Sequence, residues 1–494
     1  MKTARFEVLS LAEIEKIHAA SMRVLSEVGI KVEYPFAVQL FQEAGAKYDP
    51  DTHAVRIPET LVMWAVEQAP ASFSLYGYDA QFHMQVGGEE IQFAGLGTPT
   101  QIIDPHSGEF RPTTLEDTIR HIKLVSACKY IHNSQMDVWP NDIPMTSIHL
   151  EGIDAWAHHS RKSFGMGGYG YLASLDMMQM MSAAVGGREE LQQRPRFMGI
   201  TSVHSPLSMT QEQLEGMLIF GAFGQPTAVS PEAIAGATAP VTLAGLLAQQ
   251  NANILAHITL AQIWRPGAPV LYGTVSTIAN MRLGTVALGA METGLVTAAS
   301  AQLARHYGLP SRSVGAATEA KREDLQAGIE RTGTLLPAVL AGVNLITCGG
   351  TLDSTMIESD PLLLLDDELC GAALRLARGI EVDENGLALD EILRIGFSGN
   401  YLAEEHTVKN FRKEHYIPAL AVREPFEAWQ TGGSTSALDR AQARVQTLLE
   451  KHTPNTLDPA IEAALAAFKA QAAGRQIETY YGCELLENQD WKSL

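Results

Sequence analysis

The residues able to do chemistry in this chain collect at a few places, each just past a short apolar run. Gln135 and Asp137 end one run, and Gly167, Gly168 and Tyr169 follow another. His204 and Ser205, Ser230 and Glu232, and Tyr272 to Ser276 follow three more. Arg312 to Lys321 and Cys348 to Asp353 complete the set. His204, in TSVHSPLS, precedes Pro206 and so belongs to a loop. It is a candidate for a direct role, set against a hydrogen-bonded structural position. Glu319, in GAATEAK, is either a carboxylate facing a substrate or the acidic start of a helix, with Lys321 and Arg322 pairing outward. Tyr272, in VLYGT, faces either the interior of the fold or its helices, and the room left by Gly273 favours the site. Cys348 reads best as an inert small hydrophobe. No HExxH, P-loop or nucleophile elbow occurs, and no cysteine pair has zinc spacing. A zinc assembled from distant positions, such as His204 with Cys348, is the weak alternative.

The elements that must position these residues alternate. Candidate strands at 131–135, 163–166, 196–201, 227–230, 270–273, 311–314 and 343–347 are separated by helices near 147–160, 173–185, 211–223, 241–260, 291–307 and 324–341. Seven strands with intervening helices predict an α/β fold, a (β/α)8 TIM-type barrel, with the eighth strand expected within 380–425. An open doubly wound sheet is the rival, but no GxGxxG follows the first candidate strand. In a barrel the residues after each strand line one mouth. His204 and Glu319 would follow the third and sixth strands, and Tyr272 the fifth. The organisation expected is an N-terminal helical region at 1–70, a small β subdomain at 71–114, the barrel at 115–425 and a C-terminal helical extension at 426–494. That extension could close the barrel's side or form a subunit contact, and a homo-oligomer is expected.

The totals exclude other classes. With 494 residues and a net charge of −20, the chain has 36 Lys and Arg and no basic block, which argues against nucleic acid. No run of 18 uncharged apolar residues occurs, and the opening MKTARFEVLSLAEIEK has charges where a signal peptide needs apolar residues. Neither a membrane span nor a leader is expected, and the cytoplasm is the default compartment. The four cysteines, Cys128, Cys348, Cys370 and Cys483, are too far apart for a disulfide scaffold.

The stretches TAPVTLAGLLAQQNANILAHITLAQIWRPGAPVLYG, QLARHYGLPSRSVGAATEAKREDLQAG and LAGVNLITCGG, with AVREPFEAWQTGG near the C-terminus, resemble the trimethylamine methyltransferase family. The resemblance implies a (β/α)8 barrel that moves a methyl group from a methylated amine to Co(I) cobalamin. That corrinoid is presented by a separate protein, so no cofactor is bound permanently. The archaeal trimethylamine enzymes carry pyrrolysine in the loop corresponding to 349–356, which here reads GGTLDSTM. This departure implies the non-pyrrolysine branch, with glycine betaine as the leading substrate and dimethylglycine as product. Carnitine, proline betaine or trimethylamine are alternatives; a zinc-dependent methanol or thiol methyltransferase and a non-catalytic betaine-binding protein stand further off. On this reading His204, Glu319 and Tyr272 are the catalytic candidates. Arg312, Lys321 and Gln135 are substrate-binding candidates, with His204, Arg312 or Lys321 receiving a carboxylate. Tyr169, Tyr272, Trp139 or Phe197 would supply an aromatic wall for the cation. Gly168, Tyr169, Gly349 and Gly350 would admit the corrinoid, and no metal ligand is assigned.

Overall fold

The computed structural model describes residues 5–95, 97–105, 107–397, 399–481 and 491. Cys483 lies outside them. Eight short parallel strands form its centre: β1 (Gln92–Ala94), β2 (Ile131–Asn133), β3 (Phe164–Gly167), β4 (Phe197–Val203), β5 (Thr227–Pro231), β6 (Val270–Thr274), β7 (Ser311–Val314) and β8 (Leu345–Thr347). They pair in that cyclic order, with β8 returning to β1, and the Asn133–Ser163 bridge closes β2 onto β3. Helices α1 (Leu115–Ala127), α2 (Ile148–His159), α3 (Tyr171–Ala184), α4 (Gln211–Ala222), α5 (Leu243–Trp264), α6 (Met291–His306), α7 (Leu325–Ala341) and α8 (Asp360–Arg378) surround it. The (β/α)8 barrel is therefore as expected.

The eighth strand is not where it was sought. The described residues of 380–425 are helices and turns, and the missing strand is β1, ahead of all the others. Residues 90–93 read as a strand of the small β subdomain, and the structure places that strand in the barrel instead. Its three residues are extended because Leu345–Thr347 pairs on one side and Ile131 to Asn133 on the other. Every strand ordinal therefore rises by one: His204 follows β4, Tyr272 lies on β6 and Glu319 follows β7.

Local chemistry sets the helix ends. Thr114 and Asp117 form a capping box at α1, Asp324 caps α7, and Ser359 with Pro361 opens α8. Gly342 stops α7 at φ 75°, a left-handed conformation suited to glycine. All five residues of both β5 and β6 are buried, as a parallel strand covered on both faces requires.

The β pieces between 71 and 112 form, but they divide between the ends of the barrel. The hairpin Ser72–Tyr76/His83–Gly87 plugs the bottom, where Phe73, Leu75, Met84 and Val86 pack on Ala94, Met198, Ala228, Leu271 and Leu345. The hairpin Gln101–Ile103/Phe110–Pro112 sits at the other end and pairs with Ile357–Glu358, which in turn pairs with Thr351–Leu352. A second rim sheet, Ile234–Ala235, Thr277–Asn280 and Thr285–Ala287, flanks the ends of β5 and β6.

Candidate active site at the barrel mouth

Register decides which side chains enter the barrel. Leu345 belongs to the apolar plug and lies opposite Arg312, which lies opposite Gly273. Arg312 therefore points inward, one layer above the plug. Ser230 shares this face, since a Cβ on Gly273 would overlap its hydroxyl. Asn133 reaches Ser163 Oγ at 2.9 Å across the β2–β3 seam. This layer contains three buried polar atoms without a partner: Arg312 Nη1, Ser230 Oγ and Asn133 Oδ1. No hydrogen bond to Arg312 is present among the described residues. Burial draws its guanidinium down to about 10, while Glu232 acts in the opposite sense. It thus stays cationic at neutral pH, enclosed and lacking its anion. Removing a guanidinium from water without a partner is costly, so an anionic ligand is the natural complement.

Above this layer sits Tyr169. A Cβ on the inward-facing Gly167 would come 2.6 Å from its hydroxyl, so the phenol occupies the lumen at that strand end. Burial, then Glu232, raises the Tyr169 pKa. His149 packs behind it at 5.4 Å, with Trp139 edge-on to His149 at 5.3 Å. Burial lowers His149 to about 4, so this wall is neutral. Glu232 is two residues beyond Ser230, on the same strand face by alternation, and is exposed at the mouth. Gln135, two beyond Asn133, shares that parity and is 4% exposed. The result is a guanidinium below, an aromatic ring to one side and a carboxylate above.

Several candidate residues lie elsewhere. Tyr272 points outward: its hydroxyl donates to Asn251 Oδ1 on α5 at 2.8 Å, and its ring stacks on Tyr307. The preference for the mouth is corrected, because Gly273 and not Tyr272 has the inward parity. Gly168 faces α4, where a Cβ would lie 2.7 Å from Gly216 Cα and Phe220. Gly349 and Gly350 turn toward Leu363 at the start of α8. These three glycines make close contacts with the neighbouring helices α4 and α8. Phe197 also packs outward, against Phe164 and Phe220. Cys348 lies between β8 and α8, with its sulfur 3.4 Å from Cys370, well removed from His204's loop.

Glu319 accepts from Gly289 N at 3.1 Å and Ser354 Oγ at 2.6 Å, stitching together the loops after β6, β7 and β8. Lys321 bonds Asp353 and the Glu319 carbonyl on the same rim. His204 is exposed, and the chain beyond it leaves the mouth to pair Ser208–Met209 with Lys31–Val32. No hydrogen bond or ion pair joins His204 to Glu319 among the described residues. The structure thus gathers Arg312, Tyr169 and Gln135 of the expected set. Glu232, read from the sequence as a strand-end residue without an assigned role, joins them.

On the other side of the mouth the charged side chains pair with one another, although Asp137 Oδ1, Glu358 Oε2 and Asp360 Oδ1 keep no partner of their own. His121 on α1 bonds Glu358 and Asp137, each at 3.0 Å. Arg111 and Arg120 link Asp104, Asp117 and Asp360. Arg331 grips Asp366 and the Thr351 carbonyl, and Asp366 also accepts from Gly350 N. These contacts fix the loop after β8, whose tip, Asp353, Ser354 and Thr355, runs at φ 50°, 50° and 75°. No group of three His, Cys, Asp or Glu among the described residues is placed to hold a metal ion, and no described helix is long and apolar enough to cross a membrane.

A parallel barrel with its polar groups gathered at one mouth is the frame of many enzymes, and comparison narrows it. The model of the trimethylamine methyltransferase family (MTTB) matches residues 1–475, and the chain belongs to that family of corrinoid-dependent methyltransferases. It is 35% identical over 470 residues to a glycine betaine methyltransferase of Desulfitobacterium hafniense, covering 94% of this chain and 97% of that one. A trimethylamine methyltransferase of the same species is 32% identical over 94% of each chain, and one of Methanosarcina barkeri 32% over 90% and 91%. The solved monomethylamine methyltransferase of Methanosarcina barkeri superposes with TM-score 0.50 at 13% identity over 96% of both chains, a likeness of fold.

Proposed function

We propose that this enzyme demethylates a carboxylate-bearing quaternary amine, glycine betaine or a close relative, passing the methyl group to the Co(I) of a corrinoid carried by a partner protein. The observation that carries this reading is Arg312, buried inside the barrel with Nη1 unpartnered. A carboxylate is the anion a guanidinium fork holds best. With the carboxylate on Arg312 and near Ser230, the trimethylammonium end would rise toward the mouth. There the Tyr169 ring and Glu232 meet it through cation–π and Coulomb attraction. One methyl is then presented outward.

The acceptor supplies the nucleophile: the N–CH3 bond breaks with its electrons staying on nitrogen, so a cation becomes a neutral tertiary amine. No proton moves, which leaves His204 and Glu319 without a required acid–base role. The chain's own task is alignment. Arg312 fixes one end of the substrate. The paired network around the β8 loop holds the rim rigid. Glu232 stabilises the cation more than the neutral product, so its contribution falls in binding more than in rate.

The second reading is trimethylamine as substrate, favoured by the names of several relatives. Mixing the enzyme with reduced cobalamin and each amine in turn distinguishes them. Loss of Co(I) absorbance with glycine betaine and not with trimethylamine is expected; equal or faster reaction with trimethylamine would overturn the betaine reading.

A further inference from the structure

The barrel is covered on its sides, but the segment leaving its far end is not. α8 starts beside the mouth loops and runs away from them, so Arg378 lies at the opposite end. From there the described residues of 380–431 include four short helices, Glu384–Leu387, Leu389–Ile395, Glu405–Glu414 and Phe426–Thr431, and none of these helices buries a residue. Leu387, Leu389, Leu393 and Leu402 are 57%, 58%, 72% and 85% exposed, and Phe397 is wholly so. By contrast the following helices Ala437–Glu450 and Pro459–Ala473 bury Ala441, Val445, Leu465 and Ala472.

We infer that the described residues of 380–402 form a self-association arm, which docks into the basic cleft beside the same arm on a second copy of this chain. Three observations select that occupant. The first is area: with Ile380, Val382, Ile392 and Tyr401, the apolar side chains present on the order of 1,000 Å². That exceeds the few hundred Å² usual on a monomer and matches the roughly 800 Å² per partner of a stable interface.

The second observation is charge. Glu384, Asp390 and Glu391 on the arm have no cationic partner among the described residues. Next to the arm lies a cleft of about 410 Å³ lined by Lys129, Arg378 and Arg412, which have no acidic partner among those residues. An acidic apolar arm and a basic cleft on one surface are self-complementary, as a two-fold interface requires. In a chain of net charge −20 such a basic cleft is also unusual.

The third observation is position. The methyl acceptor must reach the mouth, whereas the arm leaves from the other end. Two barrels joined through their arms keep both mouths open. The arm is therefore not the acceptor's dock, and its surface is available for a copy of the chain.

The test is the mass of the full-length protein by light scattering and sedimentation. The wild type should be a dimer or a multiple of one. Leu393→Asp with Phe397→Asp should weaken association by about a hundredfold or more and give monomers. Methyl transfer per chain to free reduced cobalamin and the thermal midpoint should be retained, showing that the variant folds. Glu391→Arg alone should weaken association, and adding Arg412→Glu should restore it. A monomeric wild type, or an oligomer that survives both apolar substitutions, would overturn the proposal. Failure of the charge exchange to restore association would overturn the cleft as the receptor.

Discussion

Two buried arginines face the loops of the same barrel, and their surroundings differ. Arg331, on α7, is 2% exposed and bonds Asp366 through both arms of its fork. Arg312, on β7, is 5% exposed and bonds nothing among the described residues. The first completes a network around the β8 loop that includes His121, Asp137 and Glu358. The second stands level with Gly273, beside which Ser230 also lacks a partner. A buried charge that the fold has already neutralised is part of the scaffold; one left unneutralised awaits a ligand.

The largest effect should come from breaking the paired arginine. Arg331→Ala strands Asp366 in the interior, where burial already raises its pKa against the pull of Arg331. Denaturant unfolding should show a loss of about 3–5 kcal/mol. Replacing both partners by apolar residues of similar volume should recover most of it. A loss below about 1 kcal/mol would remove the distinction between the two arginines.

Next comes His121. Burial alone would lower its pKa, but Glu358 and Asp137 outweigh it and raise it to about 10. A pKa raised above the unfolded value gives stabilisation that is fully present below about pH 6.5 and fades as pH rises through about 10. His121→Gln should therefore cost about 1.5–3 kcal/mol at pH 6 and progressively less toward pH 10. A difference between the two proteins that stays constant across this range would show that the histidine folds in neutral form.

Smaller effects belong to the mouth. Glu232 is exposed, so water screens its attraction for a cation. Glu232→Gln should raise the half-saturating betaine concentration about two- to fivefold, leaving the maximal rate nearly unchanged. Steady-state kinetics at saturating corrinoid would test this. An equal fall in both parameters would instead place Glu232 in the transition state.

How much of this was legible follows from parity. The barrel was readable because seven strands alternate with long helices. Residues 90–93 read as a strand of the small β subdomain; that this strand is β1 of the barrel depends on its two tertiary neighbours, β8 and β2. Arg312 on its strand and Tyr169 and Gln135 just past theirs were found from the positions of the strands alone. Facing was harder. Strands β5 and β6 are buried throughout, so no polar alternation marks which of Tyr272 and Gly273 looks inward. The same gap hid that Gly168 packs on α4. Glu319's role was obscured for another reason, since its partners Gly289 and Ser354 come from loops on either side of its own.

The central claim is that Arg312 is held open for a substrate carboxylate. Calorimetric titration of wild type and Arg312→Ala with glycine betaine and with tetramethylammonium, which has no carboxylate, tests it most directly. Betaine affinity should fall about ten- to a hundredfold, the worth of a charge-assisted pair. Tetramethylammonium binding should hold within about twofold, and stability should be unchanged or higher because an unpaired buried charge is gone. Betaine binding that survives the substitution, or equal loss of both ligands, would contradict the account.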